Sequence, residues 1–505
     1  MNIAIIGNGI AGTTAARYIR KLSNHNITLI SSESDYFFSR TALMYIYMGH
    51  MRQVDTQPYE PWFWEKNRID LLKAHVEKID FDNKTLHFSN GSNQAYDKLI
   101  LATGSTPNKF GWPGQDLNRV GGLYSLQDLE AMEAGSEGLE RAVIVGGGLI
   151  GIEMAEMFAS RDIPVTFLVR EKSFWNRVIP PEESAMINRH IKEHHIDLRL
   201  STEMDRIEDD GEGNACAVYT KDEERIECGY VGLTAGVHPN IDFLKGTKLE
   251  TNRGILVNNH LETNIPDVYA IGDCSEQREP DDGRRGIEAI WYTGRMAGEV
   301  CAYNICDKPV EYHPGIWFNS AKFLDIEYQV YGDMPAHVPD HQDTIYWEHP
   351  DGKKSIRINF DKMSMSVTGF NLMGVRYRHE VCEQWIMQMT HIESVLQNLG
   401  LANFDPEFYN AYEKEVIQVY NEKMDRKIRL RTKRGLKGAI KFLKQARFRM
   451  GRFERKKMAV PEQTWKSIDH ETANGEIFIP HVPKSNGKHS VQQADQSADE
   501  KVESP

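Results

Sequence analysis

Two glycine-rich runs of the form Gly-x-Gly-x-x-Gly, at residues 7–12 and 146–151, are suited to bind phosphate groups. The first glycine of such a run permits a tight turn, the second lets a pyrophosphate approach the backbone, and the third lets a helix pack closely. The N–H groups at the start of that helix attract the phosphates. A turn that serves packing alone is the simpler alternative. Because each run follows a short apolar stretch, and a second apolar stretch follows at 26–31 and 164–169, the sequence predicts two dinucleotide sites.

Three histidines have a spacing that a metal site would use. His190 and His194 are one helical turn apart, and His195 is adjacent. Paired histidines at this spacing are known zinc ligands. The surrounding stretch 186–200 is typical of an amphipathic helix followed by a strand, with its polar residues outward. We therefore predict a solvated helix face here and no metal.

The six cysteines all lie at or after Cys216, without the spacing of a secreted disulfide framework, so reduced thiols are expected. Cys301 and Cys306 have the spacing of a redox pair, but we interpret them as buried core thiols. Cys274 is likewise expected to be packed rather than reactive. The aromatic run 62–64 (Trp62, Phe63 and Trp64) is interpreted as packing rather than as a substrate platform.

The elements that position these residues belong to a chain of 505 residues. This length predicts about three domains of about 150 residues each. With 40% hydrophobic and 26% charged residues, the composition is that of an ordinary globular protein. No apolar run is long enough to cross a bilayer. The first glycine turn begins at residue 7, which leaves no room for a signal peptide, so a cytoplasmic protein is expected.

Positive charge is concentrated in one stretch. Residues 426–457 contain fifteen Lys or Arg and one acid, Glu454, which gives this stretch a charge of +14 and the rest of the chain −27. Residues 405–457 are predicted to be helical, and we define 426–457 as the basic arm. One face of this helix is apolar, formed by Leu436, Ile440, Leu443 and Met450.

The basic arm has several open interpretations. It would suit an anionic membrane surface, which would place the protein peripherally at the inner membrane face, or an acidic protein partner. A solvated helix is the plain alternative. Nucleic acid is not favoured, because no recognition motif accompanies the charge. The tail from about residue 484 has too few apolar residues to fold and is predicted to be disordered.

Two further motifs identify a family. An apolar run ends in Ala-Thr-Gly at 102–104, and another ends in Gly-Asp at 272–273. With the two glycine turns, these motifs resemble the pyridine nucleotide-disulfide oxidoreductase superfamily, flavoproteins with two dinucleotide-binding domains, over about residues 1–310. The resemblance implies an α/β fold with two Rossmann-like domains followed by an α+β interface domain, through which a homodimer is expected. The implied domains are FAD-binding 1–118 and 236–310, NAD(P)-binding 119–235, interface 311–401, basic helical extension 402–460 and tail 461–505.

The resemblance also implies which residues hold the cofactors. Asp273 would bind the ribityl and diphosphate region of FAD, Val76 would meet the adenine through its backbone, and Glu153 would position the nicotinamide. A helix-dipole partner is the alternative role of Glu153. The residues implied for FAD are Gly7, Gly9, Ile10, Ala11, Gly12, Glu33, Arg40, Val76, Ala102, Thr103, Gly104, Gly272 and Asp273. Those implied for NAD(P) are Gly146, Gly148, Leu149, Ile150, Gly151, Glu153, Arg170, Glu171 and Gly236.

The chain departs from the family where an acid normally ends the second strand of each domain. Ser31 and Val169 stand at these positions, and Glu33 and Glu171 come two residues later. A carboxylate there binds ribose hydroxyls, whereas an arginine such as Arg170 suits a 2′-phosphate. NADH and NADPH both remain open as the cosubstrate.

The segment 35–51, where disulfide reductases of the family carry their redox cysteines, has no cysteine. Thiol chemistry beside a flavin is therefore not expected. The segment is similar to the same segment of the nitrite-reductase large-subunit and rubredoxin-reductase-like branches. The chain as a whole most nearly resembles the nitrite-reductase large-subunit and NADH-oxidase-like branch. Arg40 would contact the cofactor in this branch, or else be a surface arginine. The pair His379 and Glu380 lies in a different context from the family's His-Glu pair, so that role is not assigned.

The predicted activity is hydride transfer from NAD(P)H to FAD, followed by electron transfer to an acceptor that replaces the cysteine relay. An iron–sulfur protein or a quinone is the expected acceptor. The alternatives are an NAD(P)H oxidase that uses dioxygen or a small oxidant, and a flavin-bearing redox sensor whose basic arm binds a partner.

Overall fold

The computed structural model describes residues 1–405 and 410–431. The strands are β1 Asn2–Ile6, β2 Asn26–Ser31, β3 Ile69–Lys73, β4 Val76–Asp80, β5 Thr85–Phe88, β6 Asn93–Ala95, β7 Lys98–Leu101, β8 Ser105–Pro107, β9 Val120–Gly121, β10 Ala142–Val145, β11 Val165–Val169, β12 Asp197–Leu200, β13 Met204–Asp209, β14 Ala215–Thr220, β15 Arg225–Glu227, β16 Tyr230–Leu233, β17 Val237–Pro239, β18 Ile255–Val257, β19 Val268–Ala270, β20 Ser275–Gln277, β21 Phe318–Phe323, β22 Ile326–Gly332, β23 Gln342–Glu348, β24 Ser355–Asp361 and β25 Val367–Met373. The helices are α1 Ile10–Leu22, α2 Leu43–Tyr47, α3 Pro61–Lys66, α4 Leu126–Gly135, α5 Leu149–Ala159, α6 Pro181–Glu193, α7 Trp291–Ile305, α8 His379–Met387, α9 Ile392–Gln397 and α10 Glu413–Met424.

The first sheet is parallel and has the order β19-β7-β1-β2-β3. Its central strand β1 is buried over Ile3–Ile6, because α1 packs on the sheet and residues of β4 and β5 share the same core. This burial explains the unbroken apolar run in the sequence. Helices α1 and α7 pack against each other beside this sheet. Smaller sheets, β4-β5-β6 and β18-β20, complete this part of the chain.

The second sheet is also parallel, with the order β12-β11-β10-β16-β9. It is inserted into the first part of the chain: the backbone leaves through β8 and returns through β17, which pair antiparallel with Pro107 opposite Val237. The antiparallel ribbon β13-β14-β15 lies within the insertion. The two parallel sheets confirm the predicted α/β fold with two Rossmann-like domains.

The third sheet is antiparallel, with the order β21-β22-β25-β24-β23. Helices α8, α9 and α10 share its core, in which Phe370, Trp385 and Tyr420 are buried. The sheet also packs on the second part of the chain. Arg357 of β24 forms a buried ion pair with Glu183 of α6, with 2.7 Å between Nε and Oε1.

Helix α10 ends earlier than the sequence predicts. Asp425 adopts a left-handed conformation (φ 49°), and residues 425–431 carry no helix. The side chain of Asn421 binds both backbone groups of Ile428, which turns the chain back toward the third sheet. The expected continuous helix over 405–457 is therefore interrupted, while the rest of the basic arm and the tail lie outside the described residues.

Within residues 1–405 and 410–431, none of the helices combines the length and the apolar character that crossing a bilayer requires.

Candidate functional site

The two glycine turns occupy equivalent positions, each at the carboxyl end of the central strand of a parallel sheet and at the start of a helix. Gly7 and Gly146 have φ angles of 111° and 119°, a region that favours glycine. A Cβ atom at either position would lie 2.0 or 2.6 Å from a carbonyl oxygen of the neighbouring loop. At Gly12 and Gly151 it would lie 2.0 and 2.2 Å from the carbonyl oxygen of the first glycine. Backbone conformation and packing therefore require the first and third glycines of each turn.

Neither backbone conformation nor packing within the protein requires glycine at the middle positions, Gly9 and Gly148. They are the N-caps of α1 and α5, with φ angles of −68° and −111° that any residue adopts. No heavy atom lies within 4 Å of a Cβ built at either position. Both turns thus leave open space in front of a helix N-terminus, where backbone N–H groups attract anions. This space fits the phosphates of a dinucleotide at each turn.

Asp273 lies beside the first turn. A Cβ at Gly272 would lie 3.0 Å from the Cβ of Ala11, which brings the single 3₁₀ turn Gly272–Cys274 against the start of α1. The Ser105 hydroxyl donates a hydrogen bond of 3.1 Å to Asp273 Oδ2. Burial raises the pKa of the Asp273 carboxyl, whereas Ser105 and the guanidinium of Arg40 favour its charged form. The structure therefore brings the Gly-Asp motif, far away in the sequence, to the first glycine turn.

Arg40 takes part in a network rather than standing alone on the surface. Its Nη1 donates to Glu33 Oε1 at 2.9 Å and also to the Tyr124 carbonyl oxygen, and Nη2 donates to Glu33 Oε2. The Leu126 backbone N–H donates to Glu33 Oε1 at 2.9 Å. The Ser105 backbone N–H donates to the Tyr124 hydroxyl at 2.8 Å. This network joins the segment after β2 to the start of α4. The binding of ribose hydroxyls by Glu33 stays a prediction.

Glu153 lies one turn into α5, beside the second glycine turn. Desolvation by burial raises the pKa of this carboxyl to about 7, with a further contribution from Glu156, while Lys322 lowers it. Lys322 of β21 forms an ion pair of 2.7 Å with Glu156. A carboxyl that titrates near neutrality beside a ligand-binding turn is typical of a functional site. Lys322 could not be predicted from the sequence, because nothing in the sequence of β21 indicates which residues it faces.

Two arginines flank Glu171 after β11. Arg170 Nη2 lies 3.1 Å from Glu171 Oε1, and Arg177 Nε lies 3.5 Å from the same oxygen. The Glu171 side chain is 21% exposed, whereas those of Arg170 and Arg177 are 60% and 74% exposed. The carboxylate is therefore the inner group. Arg177 is a further candidate for contact with the coenzyme that was not predicted from the sequence.

The other predicted site residues lie at the ends of strands or in the first turns of α1 and α5. Val76 is buried at the start of β4, residues 102–104 follow β7, and Gly236 (φ 89°) precedes β17. The remaining predicted residues, Ile10, Ala11, Leu149 and Ile150, form the first turns of α1 and α5.

The cysteines do not form a reactive pair. Cys274 and Cys301 are buried, as predicted, and burial raises the pKa of both thiols. The prediction that Cys306 is a buried core thiol is wrong, because its side chain is only partly buried, and this partial burial raises the pKa of the thiol. Each of the six cysteines is free. Thiolates are therefore disfavoured at these positions.

The solvated helix face predicted around His190 is wrong for that residue. His190 is 1% exposed, because α6 packs against the turn between β21 and β22, where Asp325 contacts its Nε2 atom. His194 and His195 are exposed, as predicted.

The chain is similar in sequence to an oxidoreductase family and in fold to solved oxidoreductases. Residues 1–297 match the family described as pyridine nucleotide-disulphide oxidoreductase. The chain is 26% identical over 316 residues to the assimilatory nitrate reductase electron transfer subunit of Bacillus subtilis (strain 168), covering 62% of this chain and 40% of that protein. It is 30% identical over 338 residues to the 5,5'-dehydrodivanillate O-demethylase ferredoxin reductase subunit of Sphingobium sp., covering 66% of this chain and 82% of that protein.

Among solved structures, the fold is similar to the crystal structure of NADH:rubredoxin oxidoreductase from Clostridium acetobutylicum. The TM-score is 0.62 at 25% sequence identity, and the match covers 78% of this chain and 98% of that one. The chain thus spans less than half of the Bacillus relative and nearly all of the rubredoxin oxidoreductase.

Proposed function

This chain belongs to the pyridine nucleotide-disulphide oxidoreductase family, and we propose that it is an FAD-dependent NAD(P)H oxidoreductase that passes electrons to a small redox protein. The observation that carries the proposal is the open space at Gly9 and Gly148, one in each parallel sheet. Neither glycine is required by the fold, and both are explained by the close approach of a pyrophosphate. Two such turns in one chain indicate two dinucleotides that act together.

The first turn would hold FAD. Gly9 and the N-terminus of α1 would bind its pyrophosphate, and Asp273 would accept hydrogen bonds from its hydroxyl groups. Arg40, kept in place by Glu33 and Tyr124, supplies positive charge near Asp273. FAD, when bound, supplies the hydride-accepting chemistry and can release electrons singly.

The second turn would hold the nicotinamide coenzyme. Gly148 and the N-terminus of α5 would bind its pyrophosphate. Glu153 would orient the nicotinamide as an acid that gains or loses its proton near pH 7. Glu171 would accept hydrogen bonds from the adenosine ribose, since it is the inner member of the cluster with Arg170 and Arg177.

An external acceptor follows from the sequence of the segment 35–51, which offers no thiol relay. The names of relatives, an electron transfer subunit and a ferredoxin reductase subunit, support a redox protein as that acceptor. A ferredoxin or a rubredoxin is the acceptor class to test first.

Two alanine substitutions test whether the open space at Gly9 and Gly148 binds the two pyrophosphates. Gly9→Ala and Gly148→Ala should fold normally, because neither added methyl group meets a protein atom within 4 Å. Gly9→Ala should lose FAD, and Gly148→Ala should keep FAD but show at least a tenfold higher KM for NAD(P)H. Gly400→Ala is the matched control, since its Cβ also meets nothing within 4 Å.

The readouts are flavin absorbance after gel filtration, and anaerobic flavin reduction followed by stopped flow. Normal flavin content and normal reduction in both variants would contradict the proposal. Rapid oxygen consumption with no reduction of ferredoxin or rubredoxin would instead favour the oxidase alternative.

A further inference from the structure

Two histidines and an aspartate converge where α6 meets the turn between β21 and β22. His190 and His194 lie on one face of α6 and just beyond its end, and Asp325 follows Leu324, which has a φ of 57°. One ligand atom from each of the three side chains lies within 4.8 Å of the other two. The cluster joins the second sheet to the third, away from both glycine turns in the sequence.

The Nδ1 atom of each imidazole ring faces an oxygen atom of α6. His194 Nδ1 lies 3.0 Å from the His190 carbonyl oxygen, and His190 Nδ1 lies 3.5 Å from Glu193 Oε2. The two Nε2 atoms consequently face Asp325: that of His194 is 3.6 Å from Oδ1, and that of His190 contacts the same oxygen. Histidines that bind metals usually direct their other nitrogen at a carbonyl or a carboxylate in this way.

His190 is short of hydrogen bonds. Its ring is buried, and neither ring nitrogen has a hydrogen bond of acceptable geometry. A buried polar group whose hydrogen bonds are poorly aligned destabilises the fold, so native proteins rarely contain one without a reason. A cation bound by the two Nε2 atoms and Asp325 would satisfy His190 Nε2 once Asp325 Oδ1 moves back from its present contact with the ring.

The ligand set selects a class of ion. Two imidazole nitrogens and one carboxylate oxygen suit Zn²⁺ and similar divalent transition metals, whereas Ca²⁺ and Mg²⁺ prefer oxygen ligands alone. Lys353 Nζ lies 3.5 Å from Asp325 Oδ2, so it pairs with the oxygen that faces away from the histidines. His194 and Asp325 are exposed enough to leave a fourth position to water.

We propose that His190, His194 and Asp325 bind one Zn²⁺-type divalent cation through His190 Nε2, His194 Nε2 and Asp325 Oδ1. The ion would fasten α6 to the third sheet and has no part in the proposed hydride transfer. A polar contact that binds no ion is the alternative.

The test uses the full-length protein with its flavin, stripped of metal with a chelator and titrated with Co²⁺ and then with Zn²⁺. The wild type should bind one equivalent of Co²⁺ at this site, with visible absorption of a four-coordinate ion, and Zn²⁺ should displace it. His194→Ala and Asp325→Asn should bind Co²⁺ at least tenfold more weakly. Both side chains are exposed, so these variants should fold, whereas truncating the buried His190 would confound loss of binding with loss of fold.

His195→Asn is the matched control. His195 is exposed with a φ of 59°, a conformation that asparagine tolerates, and it lies next to His194 without joining the cluster. It should bind Co²⁺ as the wild type does. Equal binding by the wild type, His194→Ala and Asp325→Asn, or no absorption band in the wild type, would overturn the proposal. Flavin reduction by NAD(P)H, measured in parallel, reports on the proposed function independently.

Discussion

Lys322 and Glu156 form an ion pair of 2.7 Å that ties the third sheet to the helix after the second glycine turn. Lys322 comes from β21, more than 160 residues after Glu156. The pair places a cation one turn away from Glu153, so the third sheet contributes to the electrostatic environment of the proposed nicotinamide site.

Replacing Glu153 should change how stability depends on pH. Burial raises the pKa of Glu153 from 4.5 to about 7, so between these values the folded protein holds a proton that the unfolded chain has lost. The contribution of this group to the free energy of unfolding therefore falls as pH rises through this window. Glu153→Gln, which cannot ionise, should be more stable than the wild type by on the order of 1–2 kcal/mol at pH 8 and equal to it near pH 4.5. Urea unfolding at several pH values measures the difference, and a difference independent of pH would refute the assignment.

Asp273 should be needed to retain the flavin. Asp273→Asn removes a negative charge whose hydrogen bonds to a ligand are worth about 1.5–3 kcal/mol, so FAD should dissociate roughly tenfold more readily or worse. Flavin remaining after dialysis is the measurement. Asp222→Asn, at an exposed position, is the control and should keep its flavin. Full retention by Asp273→Asn would mean that Asp273 does not contact the cofactor.

Thiol reagents should leave electron transfer from NAD(P)H to a dye intact. Cys274, Cys301 and Cys382 are buried, burial raises their pKa values, and the segment 35–51 has no cysteine. Activity should stay within about twofold after N-ethylmaleimide treatment of the folded protein, with labelled thiols counted by mass spectrometry. Loss of activity in proportion to labelling of a single cysteine would show that a thiol takes part.

The cluster after β11 should favour NADH. Glu171 is less exposed than Arg170 and Arg177 and is placed to accept hydrogen bonds from ribose hydroxyls. Glu171→Ala should raise the KM for NADH about tenfold, a loss of roughly 1.4 kcal/mol, with little effect on NADPH. Arg177→Ala tests the alternative, in which an arginine of this cluster binds the 2′-phosphate of NADPH. If it raises the KM for NADPH while Glu171→Ala changes nothing, the coenzyme is NADPH.

The basic arm should be dispensable for flavin reduction. Helix α10 buries Val416, Ile417 and Tyr420, and the backbone N–H of Arg431 donates to the Gln397 carbonyl oxygen, so a truncated chain must retain residue 431. A chain that ends after Arg431 should reduce its flavin with NAD(P)H at the wild-type rate. Its reduction of an acidic ferredoxin should fall and become less sensitive to salt, since eleven of the fifteen basic residues of the arm are removed and four, at 426–431, remain.

Stopped flow and a salt titration on both chains would decide this prediction. Loss of flavin reduction with FAD still bound would place the arm in the active site. Unchanged delivery to ferredoxin, with loss of binding to anionic vesicles, would favour a membrane surface as its counterpart.

Local sequence patterns predicted the parts of the site that lie within one strand-turn-helix unit. The glycines at 7–12 and 146–151 were singled out because turns and close approaches restrict residue type at fixed spacing. The role predicted for Asp273 came instead from the family resemblance. Lys322 was missed, since its role depends on a distant helix that packs beside it. Arg177 was missed although it lies only six residues after Glu171, because its contact depends on the path of the loop after β11. His190 was predicted to be exposed because its helix has the periodicity of a solvated face. In the structure, the turn of the third sheet that carries Asp325 covers this residue.

The insertion of the second sheet between β8 and β17 sets an order of assembly. All five strands of the second sheet lie within residues 120–233, whereas β7 must wait for its outer partner β19, at Val268–Ala270. Domains fold as units while the chain is being synthesised, and pairings between distant segments form late. All strands of the second sheet are therefore synthesised before β19, the last strand of the first sheet. We expect the first sheet to be completed beside a second sheet that has already folded.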